Sequence, residues 1–179
     1  MNQQKLSTES IVTTGMFTAI VAVLSILQIP MPNGIPITLQ TFAVALCGFV
    51  LGWKQGTLCV FLYVLLGAIG IPIYAGMTAG LGKLFGVTGG FLIGFLPMTA
   101  LCGLKRDSYN KILPILLGII GLTICHICGG IQYSFLTGNH LLHSMMVVSV
   151  PYLAKDILST VGAYLVSFAL RSGLKRAHL

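Results

Sequence analysis

IVTTGMFTAIVAVLSILQI, residues 11–29, decides what kind of molecule this is. The run carries no charged side chain and ends against Pro30. A helix needs about 20 mostly apolar residues to cross a bilayer, and this run supplies them. It is too long for the core of a cleaved signal and has no small-residue cleavage site behind it, so it is expected to remain as a span. The rest of the chain has the same character. Of 179 residues, ten are Lys or Arg, three are Asp or Glu, and 56% are hydrophobic; the mean hydropathy is +0.97. A soluble globule cannot cover a core of that size with so little polar surface. A cytosolic enzyme, a secreted disulfide scaffold and a free nucleic-acid binder are excluded, despite the net charge of +7.

Five more apolar runs follow, at 38–52, 56–71, 86–104, 112–136 and 151–170. The expectation is an all-α integral membrane protein, with six transmembrane helices in one domain over 1–179. The second and third runs are short, so they are expected to tilt or to begin inside the protein. Six spans put Lys5, Lys54, Lys105, Arg106, Lys111, Arg171, Lys175 and Arg176 on one side, and only Lys83 and Lys155 on the other. Lys and Arg accumulate on the cytoplasmic side. Both termini are therefore expected to be cytoplasmic, and the basic patch is a topology signal rather than a nucleic-acid site.

The sequence offers no reaction machinery. Cys47, Cys59, Cys102, Cys125 and Cys128 lie in apolar runs at irregular spacing, which gives no disulfide framework. In CHIC (125–128) the position after the second Cys is Gly129, not the His of a c-type haem site, so these residues read as small apolar side chains. His126, His140, His143 and His178 have no metal-ligand spacing with acids, and no HExxH, GxSxG or phosphate-loop pattern is present. No catalytic residue, metal or cofactor is expected.

Three connections fall on the side opposite the basic patch: 30–37, 71–86 and 137–150. The stretch PIYAGMTAGLGKLFGVTGG (72–90) is too apolar for a solvated loop and too rich in Gly for a good helix. Non-helical backbone at membrane depth survives only where protein buries it or it lines a cavity. The stretch is thus either a tight re-entrant turn or backbone folded over a site. Asp156 is the one acid inside an apolar run. A charge there costs about 2.5–3.5 kcal/mol on insertion scales, so it needs a partner. Lys155 is adjacent, but consecutive helical side chains diverge and are not expected to pair face to face. Ser159 lies one turn on, and Tyr152 one turn before. Two readings stand: a self-satisfied pair at the surface, or a buried acceptor for the N–H groups of a small polar ligand. Small residues recur at four-residue spacing as Gly86, Gly90 and Gly94, and on the first span as Gly15 with Ala19 and Thr18 with Ala22. The latter form a smooth strip suited to internal packing or to docking another membrane subunit.

Three segments carry a family resemblance: IPITLQTFAVALCGFVLG (35–52), YVLLGAIGIPIYAGMTAGLGKLFGVTGGFLIGF (63–95) and VPYLAKDILSTVGAYL (150–165). Together they resemble the BioY family, the biotin-specific substrate-binding (S) components of energy-coupling factor (ECF) transporters. The resemblance implies a six-helix protein that captures biotin from outside. It would work in the plasma membrane of a prokaryote with a transmembrane coupling subunit and two cytoplasmic ATPases. It also implies that Gly15, Thr18, Ala19 and Ala22 dock that subunit. Within the implied site Asp156 accepts ureido N–H bonds, and Lys155 or Ser159 donates. Gln40, Tyr74 and Tyr152 supply polar and aromatic walls, and Gly76, Gly80, Gly82 and Gly89 let backbone approach the ligand. The chain departs from the family pattern at four points: Ser159 stands where the family has Lys, Lys155 where it has Gly, Val87 where it has Pro, and AGMTAGLG (75–82) where a run of paired glycines is commoner. A biotin precursor or analogue is therefore an alternative ligand. The alternatives in function are a solitary carrier working without ATPases, a membrane enzyme acting on lipid, and a purely structural bundle.

Overall fold

The computed structural model of the chain describes residues 8–176. Lys5 and His178, and the side chains of Lys175 and Arg176, lie outside the described residues. The described chain is helical, with one small hairpin. The run at 11–29 folds as α1 (Thr8–Ile26) and then turns into β1 (Gln28–Ile29), which pairs antiparallel with β2 (Ile37–Thr38). There follow α2 (Gln40–Leu51), α3 (Trp53–Ala68), the single turn α4 (Leu81–Leu84), α5 (Gly89–Leu104), α6 (Ile112–Thr137), the short α7 (Leu141–Val148) and α8 (Val150–Arg176). The connections at 71–86 and 137–150 thus contain α4 and α7. By length and composition α1, α6 and α8 can each cross a membrane, while α2, α3 and α5 are shorter apolar helices.

Several hydroxyl groups inside these helices are satisfied by the backbone of their own element. In α1 the hydroxyls of Thr14, Thr18 and Ser25 donate to carbonyls four residues earlier at 2.6–2.8 Å. An apolar solvent demands that internal pairing. Thr13, Thr14, Phe17, Thr18, Val21 and Ser25 form the buried stripe of α1, at the three- and four-residue steps of one helical face.

The centre of the molecule is α2, buried along nearly its whole length from Gln40 to Val50 and packed by α1, α3, α5 and α8. Gly52 ends it and opens α3 at φ +84°, a conformation that costs a side-chain-bearing residue energy. Only glycine permits the seam between α5 and α6. A Cβ on Gly90 would strike the Cys128 carbonyl, and one on Gly94 would lie 2.7 Å from the Cys125 Cα. Gly86 lies ahead of α5, so the expected three-glycine row is a two-glycine row. Gly121 of α6 extends the seam against Met98.

The two ends of the bundle differ in chemistry. At one end the Arg106 guanidinium donates to the Val50 carbonyl, and Asp107 pairs with both Arg106 and Arg171. At the other, the β1–β2 hairpin, the 69–88 connection and α7 lie over the ends of the helices.

Candidate functional site

Beneath that cover lies a cavity of about 250 Å³. It falls just under the range of about 300–1,000 Å³ usual for drug-sized ligands, a size for a small molecule. Its apolar walls are Phe91, Leu92 and Phe95 of α5, Leu122 and Cys125 of α6, and Val148 of α7. The polar groups come from Gln28, Thr38, Gln40, Thr41, Tyr74, Thr78, Lys83, Thr88, His126, Tyr152, Lys155 and Asp156.

Asp156 is 5% exposed and faces this cavity from α8. Its Oδ2 stands 3.3 Å from Nε2 of His126 on α6, and its Oδ1 is in close charge contact with the Lys155 ammonium. The expectation that Lys155 and Asp156 diverge is therefore wrong. Consecutive Cβ atoms do point apart, but the four-carbon lysine stem is long enough to bring the ammonium back. That ammonium also donates to the Thr38 carbonyl at 3.0 Å, tying α8 to β2. The carboxylate is thus held between a cation and an imidazole, as a buried charge requires.

Gln40, at the first turn of α2, is buried and donates from Nε2 to the Tyr63 hydroxyl at 2.7 Å, which fixes its amide in the cavity wall. Tyr74 lies in the connection between α3 and α4. Its hydroxyl donates to the Val64 carbonyl at 2.5 Å, and its ring meets Tyr63 edge-on at 5.6 Å. Burial pushes its phenol up to about 12, so it remains a donor at neutral pH. Tyr152 reaches from α8 to the 30–37 loop, with its hydroxyl 2.9 Å from Asn33 Oδ1 and 2.5 Å from the Ile35 carbonyl. Asn33 in turn donates to the Val147 carbonyl at 3.0 Å. The loop is therefore pinned to α7 and α8 together.

The remaining residues lie elsewhere. Ser159 is half-buried one turn below Asp156 and does not line the cavity, because α8 carries it round to a different side. Gly76, Gly80, Gly82 and Gly89 do not line it either. The Gly76 amide donates to the Ile26 carbonyl at 3.1 Å and the Gly80 amide to the Gly67 carbonyl at 2.7 Å, while Gly89 packs against the Leu84 carbonyl. These glycines and Gly82 build the cover rather than the wall. On α1 the proposed strip divides: Gly15 and Ala19 are exposed, whereas Thr18 turns inward to the Cys59 carbonyl and Ala22 packs on the core. Sequence reasoning passed over His126, Lys83, Thr38 and Thr41. For His126 the signal was an imidazole in an otherwise apolar run, the same signal that singled out Asp156.

The chain is 34% identical over 180 residues to the biotin transporter BioY2 of Lactococcus lactis subsp. cremoris, covering 99% of this chain and 97% of that protein. It is 36% identical over 164 residues to the biotin transporter BioY of Thermotoga maritima, covering 90% and 95% respectively. The crystal structure of the S-component for biotin from an ECF-type ABC transporter matches at a TM-score of 0.85 and 25% identity, over 96% of this chain and 95% of that one. The model of the BioY family matches residues 1–176. With likeness in sequence and in fold running from end to end, the chain belongs to the BioY family.

Proposed function

We propose that this protein captures biotin and takes it up as the substrate-specific S-component of an ECF-type transporter, without covalent chemistry of its own. The observation that carries the reading is the small cavity with one buried carboxylate in its wall. Biotin presents a cyclic urea with two N–H donors and one carbonyl, a fused thioether ring, and an aliphatic tail ending in a carboxylate. Asp156 accepts a ureido N–H, and Lys155 and Gln40 supply donors for the ureido carbonyl. Phe91, Phe95, Tyr74 and Tyr152 enclose the apolar body. Lys83 on α4 is the cation suited to the tail carboxylate.

Six helices cross the membrane in this reading, within one domain. At about 1.5 Å per residue α2 is only about 18 Å long, well short of a hydrocarbon core of about 30 Å. It therefore starts at depth, at the cavity, and the hairpin completes the crossing. The end that gathers Lys54, Lys105, Arg106, Lys111 and Arg171 faces the cytoplasm with both termini, and the cavity opens to the outside of a prokaryotic plasma membrane. A transmembrane coupling subunit and two ATPases drive release inward, and the exposed Gly15–Ala19 edge of α1 is the docking face for the coupling subunit.

Proteoliposomes test this assignment. With the coupling subunit and ATPases present, biotin accumulates inside on addition of ATP, whereas the protein alone binds biotin without accumulating it. Equal accumulation with and without those partners would make it a solitary carrier.

A further inference from the structure

Among the described residues, Nδ1 of His126 is a buried side-chain atom of the cavity wall that makes no hydrogen bond, and Oδ1 of Asp156 beside it meets the Lys155 ammonium. They belong to facing residues, because the other imidazole nitrogen, Nε2, stands 3.3 Å from the other carboxylate oxygen, Oδ2. An ionised carboxylate only accepts hydrogen bonds. The neutral imidazole must therefore carry its proton on Nε2 and leave the lone pair on Nδ1. The ring has little freedom to reorient, since it is 4% exposed and meets Phe91 edge-on at 5.7 Å. His126 thus presents an acceptor with no donor of the chain to satisfy it, beside an Asp156 carboxylate that the Lys155 ammonium and the Thr41 hydroxyl also reach. The open Nδ1 and the remaining lone pairs of the carboxylate match a head group with two N–H donors.

We infer that His126 is a second recognition residue of this cavity, accepting one ligand N–H at Nδ1 while Asp156 accepts the other. The inference rests on the biotin reading above.

The test is equilibrium binding of labelled biotin to the purified full chain, with two variants and with biotin methylated at one or the other ureido nitrogen. His126→Phe is expected to bind biotin about tenfold more weakly than the wild type, with a thermal melt in the absence of ligand to show that it is folded. His126→Gln can donate to Asp156 and accept from the ligand, and is expected to recover part of that loss. Methylation at the nitrogen that donates to His126 should cost the wild type affinity and cost His126→Phe much less. Should His126→Phe not fold, His126→Leu takes its place in the same comparison. An unchanged biotin affinity in the apolar variant, or an equal loss on methylation in it and in the wild type, overturns the inference while leaving biotin capture intact. No saturable binding by the wild type overturns both.

Discussion

Asp156 is legible from one line of sequence because a carboxylate in an apolar run is costly enough to demand a reason. Its partners are less so. His126 sits between two cysteines in CHIC and reads as filler until α6 folds against α8 and brings Nε2 to the carboxylate. Lys155 reads as a donor of the site but not as a partner of Asp156, because the angle between neighbouring side chains describes Cβ directions and neglects the reach of a flexible stem. Ser159 drew interest from the family pattern, yet it does not line the cavity. The Lys155 ammonium bridges Asp156 and the Thr38 carbonyl, so its removal strips the carboxylate of its counter-charge and frees β2. Lys155→Ala is expected to lower biotin affinity by about tenfold, or 1.4 kcal/mol, as read by equilibrium binding. Lys155→Arg should recover part of the loss, and an unchanged affinity for Lys155→Ala would remove Lys155 from the site.

At the scale of elements, the long helices follow from apolar runs closed by Pro, Gly or charge, and these are visible without coordinates. The two-residue strands and α7 are not. Gln28–Ile29 continues the apolar character of α1, and only its pairing with Ile37–Thr38 makes it a strand. The glycines divide by position rather than by type: Gly90 and Gly94 permit the α5–α6 seam, whereas those near residue 80 shape the cover. Gly94→Leu is expected to lower stability by about 1–3 kcal/mol through overpacking, measured as a fall in thermal midpoint in detergent. An unchanged midpoint would mean that the seam is looser than described. The 30–37 loop depends on Tyr152 and Asn33. Tyr152→Phe removes a hydrogen bond of about 0.5–1.5 kcal/mol, and is expected to speed biotin release several-fold with little change in the association rate. Rapid-filtration kinetics would show this, and identical release rates would separate the loop from retention.

For the whole molecule, the proposed orientation sets the basic end toward the cytoplasm and the weakly charged end that holds the cavity toward the side of capture. The exposed Gly15–Ala19 edge of α1 takes no part in the core. The double variant Gly15→Leu, Ala19→Leu is accordingly expected to leave biotin binding within about twofold, since exposed changes away from special features rarely exceed about 0.5 kcal/mol. Uptake in proteoliposomes carrying the coupling subunit and ATPases should be abolished. Uptake at the wild-type rate would place the docking face elsewhere. The central claim is that one buried carboxylate, held by a lysine and a histidine, receives the head group of a vitamin. Its most direct measurement is equilibrium binding of labelled biotin to the purified protein and to Asp156→Asn, with desthiobiotin and an unrelated vitamin as competitors. The result expected is saturable binding, displaced by desthiobiotin and not by the unrelated vitamin, and weakened at least about tenfold in the variant, as loss of a hydrogen bond to a charged group requires. Equal affinity in the two proteins, or displacement by the unrelated vitamin, would contradict it.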